Sequence, residues 1–88
     1  MNYNKLENIT KGYANHWRIK ILELLDREGE LSLDQITEKL NGHFKTISVH
    51  TKRAALSGLV SKRYQGRSVM HSLTERGKHI LTFLRMLE

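Results

Sequence analysis

From Phe44 to Leu73 the chain places Lys45, Lys52, Arg53, Lys62, Arg63 and Arg67, and not one Asp or Glu. Ammonium and guanidinium groups without carboxylates bind polyanions, by Coulomb attraction and by donors matched to phosphate oxygens. The surplus is local. Residues 1–42 are nearly balanced, with Lys5, Lys11, Arg18, Lys20, Arg27 and Lys39 against Glu7, Glu23, Asp26, Glu28, Glu30, Asp34 and Glu38. Residues 43–79 add Arg76 and Lys78 to the six cations above and offer only Glu75 in return, which accounts for the net charge of +6. A basic face kept only for solubility is the alternative, but exposed helices ordinarily mix signs to gain i, i+4 pairs, and a one-signed face gives up that support.

Other chemistries find little to work with. The absence of Cys removes disulfides, thiolate metal sites and cysteine nucleophiles together. His16, His43, His50, His71 and His79 are scattered, with no i, i+4 pair and no carboxylate cluster, so no metal site and no cofactor are expected. Ser48 and His50, two apart on one helix, point in different directions and cannot start a hydrolytic triad. With no phosphate loop, no paired carboxylates in an apolar setting and no Gly-rich fingerprint, an enzyme is not expected. The opening "MNYNKLENITKG" has no signal-like apolar run, and no stretch approaches the ~20 apolar residues that span a bilayer. A cytoplasmic protein with no membrane partner is expected. Eighty-eight residues suit one domain, 1–88, whose core is small enough for a partner subunit to help.

The elements that must position the cations are legible in the spacing of apolar residues. Tyr3, Leu6, Ile9 and Tyr13 mark a first helix ending near Gly12. Asn15 caps a second, "HWRIKILELLDRE", stopped at Gly29 and apolar around so much of its circumference that it should be the central helix. Ser32 and Gln35 form a capping box for a third helix with Leu33, Ile36 and Leu40 inside, and Asn41 and Gly42 supply the turn after it. A fourth helix follows from about Phe44 to Ser57, with Phe44, Ile47, Thr51, Ala54 and Gly58 as its inner stripe. Its outer face carries Lys45, Ser48, Val49, Lys52 and Arg53, with Thr46 at the flank. "LVSKRY" and "SVMHSL", joined through Gln65, Gly66 and Arg67, then change the period to two, as in a hairpin with one packed face. A last helix runs from about Thr74 to Leu87. The predicted fold class is mainly α with a small β-hairpin, about five helices plus a two-stranded wing.

Three helices followed by a basic hairpin, with a tight turn between the second and third core helices, is the layout of a winged helix-turn-helix. "ANHWRIKILELLDREGELSLDQITEKL" resembles the opening of ArsR-type winged-helix regulators, in which His-x-x-Arg precedes "IL.LL" and then "GEL". Here the corresponding residues are His16, Trp17 and Arg18, with a single residue between His and Arg, then Ile21 and Leu22, with Gly29, Glu30 and Leu31. Thr46, Ile47, Ser48 and His50 match the family's "TVSRH", Gly58, Leu59 and Val60 its "AGLV", and Gly66 and Arg67 open the wing's return strand. "LTERGKHILTFL" is similar to the closing helix of MarR-like and small archaeal regulators. The sequence departs from the family where Thr51 and Ala54 replace Leu and His71 replaces an aromatic Tyr. The Cys-rich metal site of some members is absent, and Glu75 with His79 is too small a set for the other.

The resemblance implies a homodimeric, sequence-specific regulator of transcription, a repressor, bound to double-stranded DNA. The fourth helix, about 44–57, would enter the major groove with Lys45, Thr46, Ser48, Val49, Lys52 and Arg53 towards the bases. The wing, about 60–73, would set Lys62, Arg63 and Arg67 on phosphates, with Arg67 in reach of the minor groove. Tyr3, Leu6, Ile9, Ile80, Phe83, Leu84 and Leu87 exceed what a small core can bury and are expected at a dimer interface. The competing reading from another class is a winged helix that binds protein alone, which has little use for a basic helix and a basic wing together.

Overall fold

The computed structural model describes residues 1–88. Five helices and three strands follow one another as α1 (Tyr3–Tyr13), α2 (His16–Glu28), β1 (Leu31–Ser32), α3 (Leu33–Lys39), α4 (Phe44–Leu56), β2 (Val60–Gln65), β3 (Ser68–Leu73) and α5 (Glu75–Leu87). Side-chain oxygens satisfy the free amides that open four of the helices. Asn2 accepts from Lys5, Asn15 from Trp17 and Arg18, Thr74 from Gly77, and Ser32 and Gln35 form the reciprocal capping box. Asn41 takes φ 52° in the turn between α3 and α4.

α2 is the central helix. Ile21, Leu22, Leu24 and Leu25 are all buried, and α1, α4, α5 and β3 pack around them. Leu31 of β1, Ile36 of α3, Ile47 and Ala54 of α4, Leu59, Val60 and Leu81 complete a core of small extent. Five helices and a two-stranded wing are as expected; one detail is added and one expectation corrected. The sheet has three antiparallel strands in the order β1-β3-β2, because Leu31 and Ser32 pair with His71 and Met70 on the far side of the hairpin. Phe44, assigned to the inner stripe of α4, is 52% exposed: as the helix's first residue it lies at the rim of an open cleft between α3 and the hairpin and not in the core.

Thr51 is 1% exposed, and its hydroxyl has no hydrogen-bond partner. A buried, unsatisfied hydroxyl costs ~1–3 kcal/mol of desolvation. Thr51→Val keeps the shape and removes the oxygen, so the urea unfolding midpoint should rise, by the equivalent of about 1 kcal/mol. An unchanged or lower midpoint would mean that the hydroxyl is satisfied in solution.

The start of α5 is tied to the segment that follows α4. Thr74 donates through Oγ1 to the Gly58 carbonyl at 2.6 Å and through its backbone amide to the Leu59 carbonyl at 3.1 Å. Arg76 donates from Nη1 to the Ser57 carbonyl at 3.2 Å. These bonds join the C-terminal helix to the end of α4.

Candidate nucleic-acid interface

α4 is brought close to α2 by its inner residues. Ile47, Thr51 and Ala54 are buried at spacings of four and three, and the last two are small. Gly42 lets the preceding turn fit as well, since a Cβ there would lie 2.9 Å from Ile47 Cδ1 and 3.4 Å from the Trp17 ring. The opposite face of α4 is left in solvent. Lys45, Lys52 and Arg53 are exposed, Val49 is 60% exposed, and Thr46 and Ser48 are half-buried at the flanks. The expected set therefore occupies one side of one helix. Leu56, exposed at the end of that helix, was not expected there.

The chain's ion pairs show what these cations lack. Carboxylates hold Lys11, Arg27, Lys39, Arg63, Lys78 and Arg85. None holds Lys45, Lys52 or Arg53, nor Lys62 or Arg67 of the hairpin. Helix and wing thus present exposed cations with no carboxylate partner within the chain.

The pleat sorts the wing's three cations. Cross-strand pairs Lys62↔His71 and Tyr64↔Val69 share the face turned towards the core, while Arg63↔Met70 lies on the other. Lys62 and Arg67 accordingly line a cleft with Ser32, Asp34 and Phe44, at the N-terminal ends of α3 and α4. Arg63 points away and donates from Nε to Glu30 Oε2 at 3.0 Å, from Nη2 to Glu30 Oε1, and to Gln65. The expectation that Arg63 joins its neighbours on phosphate meets this pair: its guanidinium is already engaged as a brace between the wing and the segment before β1. The pair holds the Glu30 carboxyl below its usual range.

His71, 4% exposed, sits on β3 with Nδ1 3.3 Å from the Leu31 carbonyl, which can only accept, so Nδ1 carries the proton. Burial lowers its pKa first, opposed by that hydrogen bond and reinforced by Lys62 across the strand. It is a buried residue at the wing's base, its Nδ1 donor satisfied by the carbonyl of the neighbouring edge strand β1.

The expected interface residues at the chain's ends divide in two. Ile9 and Ile80 pack on the core and Leu84 is half-buried, whereas Tyr3, Leu6, Phe83 and Leu87 remain exposed together with Met86.

A helix in solvent bearing unpaired cations, preceded by a tight helix-turn-helix and followed by a basic two-stranded wing, defines a winged helix-turn-helix domain of the DNA-binding type. No family model and no curated protein sequence matches the chain. Solved structures do. The transcriptional regulator HlyU of Vibrio vulnificus is 30% identical, with 98% of this chain and 90% of that one covered and a TM-score of 0.78. HlyU of Vibrio cholerae is 27% identical over 98% and 94% at a TM-score of 0.80. Mb0332 of Mycobacterium bovis, described as a homodimeric winged helix-turn-helix DNA-binding domain and a possible ArsR-family regulator, is 22% identical over 97% and 79% at 0.87. This chain belongs to the ArsR-like winged helix-turn-helix regulators.

Proposed function

We propose that the protein is a sequence-specific double-stranded DNA-binding transcriptional regulator acting as a homodimer. α4 lies in the major groove, where an α-helix fits and base edges are within reach of its side chains. The hairpin lies on flanking phosphates, with Arg67 at its tip beside the minor groove. Occupancy of a promoter in this way represses transcription. The observation that carries the reading is the outer face of α4 with the wing's inner face: Lys45, Lys52, Arg53, Lys62 and Arg67 stand there together and no carboxylate pairs with any of them, whereas most cations of the rest of the chain have one.

Selection from a random duplex library tests it. A recovered motif with two-fold symmetry is expected; recovery of no preferred sequence would reject sequence-specific recognition. Val49 is apolar, exposed and central on the face, as contact with a thymine methyl requires, so Val49→Ala should alter preference at one base position in each half-site.

The wing contributes affinity without sequence. Arg67→Ala should lower the magnitude of the log K against log salt slope by about 0.9 per half-site while the selected motif stays the same. An unchanged slope and affinity would take the wing off the DNA.

A further inference from the structure

Next to Arg53, at the edge of the groove-facing set, lie two residues that base contact leaves unused, Arg18 and His50. Arg18, in the first turn of α2, donates from Nε to His50 Nδ1 at 3.2 Å and from Nη1 to the Lys11 carbonyl. An imidazole nitrogen that accepts a hydrogen bond carries no proton, so His50 is neutral and bears its one proton on Nε2. Burial, then Arg18 and then His16, hold its pKa below the ordinary imidazole range. Arg53 follows one turn later on α4, close enough that its charge, after burial, lowers the pKa of Arg18. These residues, with Val49, Lys52 and Leu56, line an open cleft of about 410 Å³. No carboxylate pairs with Arg18, Lys52 or Arg53.

Two guanidiniums that line one cleft and feel each other's charge, one of them partly desolvated, repel each other, and an anion between them reverses the sign of that interaction. The two bonds that Arg18 makes leave the rest of its five donors unspent and fix the plane of the fork. His50 offers one more donor from a group already held in a single tautomer.

We propose that Arg18, His50 and Arg53 form a seat for one backbone phosphate of the bound duplex. The two arginines supply charge, and His50 donates its Nε2 proton to a phosphate oxygen. The seat rests on the DNA-binding reading and extends it: the central helix touches the DNA backbone, and Arg53 serves the edge of the groove while Lys45, Ser48, Val49 and Lys52 face the bases. The contact would also fix the depth of α4 in the groove, because Arg18 is anchored to the end of α1.

The salt dependence of binding to the selected duplex tests the seat. Arg18→Gln should lower the magnitude of the slope by about 0.9 per half-site and leave base preference unchanged. Arg27→Gln, an equal loss of charge on the last turn of α2 where Glu28 already pairs with the arginine, should leave the slope as it is. Wild-type protein supplies a second measurement should Arg18→Gln fail to fold: in nitrogen-15 spectra the His50 Nε2 proton should become protected on saturation with duplex. Inorganic phosphate at millimolar concentration should not produce that protection. A wild type that binds no duplex overturns the functional reading and the seat together. A wild type that binds, with an unchanged slope in Arg18→Gln or an unprotected His50, overturns the seat alone. Protection by inorganic phosphate alone would replace it with a site for a free anion.

Discussion

Gly77→Ala should lower the unfolding free energy, although alanine is the better helix former. Gly77 is buried in the first turn of α5, and a Cβ at that position would fall on the Leu59 carbonyl oxygen and on Leu73 Cδ1. The leucine side chain can turn aside. The carbonyl cannot, because Leu59 is fully buried and its oxygen accepts from the Thr74 amide. Overpacking of a fixed site costs ~1–3 kcal/mol, against ~1 kcal/mol at most gained from alanine's helix propensity, and the clash with backbone belongs at the upper end. A net loss of about 1–2 kcal/mol is expected in urea unfolding, a large share of the stability of a domain this small. The position also matters for function. Thr74, Arg76 and Gly77 dock α5 on the residues that end α4, so a displaced α5 changes the angle between the helix proposed for dimerisation and the helix proposed for the groove. Gly77→Ala with undiminished stability would mean that α5 stands farther from Leu59 than the structure places it.

Local signals in the sequence were sufficient for most of the fold. Asn15 and Gly29 bound α2, Ser32 with Gln35 opens α3, and Gly66, at φ 61°, turns the wing; each acts within a few residues of itself. The outer face of α4 was legible for the same reason, since helical spacing alone decides that Lys45, Val49, Lys52 and Arg53 avoid the side of Ile47, Thr51 and Ala54. What escaped depends on partners distant in sequence. β1 is two residues long, too short for any period, and exists because His71 and Met70 arrive beside it some forty residues later. Arg63 reads as one of three equivalent wing cations until the pleat turns it to Glu30. Arg18 reads as one cation among many and His50 as a residue that caps packing or touches a phosphate, but nothing in their spacing announces the hydrogen bond between α2 and α4. Phe44 fits the inner stripe by spacing and fails it by position, because a helix's first residue can extend past the core it leads into.

Substituting lysine for both Phe83 and Leu87 should convert the protein to a monomer and cost about 10²–10⁴-fold in affinity for an inverted-repeat site. The two side chains are 47% and 66% exposed, and Met86 between them 78%, so none of the three is part of the monomer's core and the double variant should still fold. In the free chain they form, with Tyr3 and Leu6, an apolar surplus that two-fold pairing of the terminal helices would cover. Pairing would set two copies of α4 about one turn of DNA apart, roughly 34 Å, and make the second half-site's binding intramolecular. Lysine is the informative replacement because it adds positive charge: Coulomb attraction to DNA grows, so a lost affinity cannot be a charge effect. Affinity for an isolated half-site should be kept or slightly raised, and sedimentation equilibrium should show the loss of association directly. A double variant that sediments as the wild type does would move the interface elsewhere. A wild type that is monomeric up to high micromolar concentration would remove the dimer, and with it the physical reason for a palindromic site.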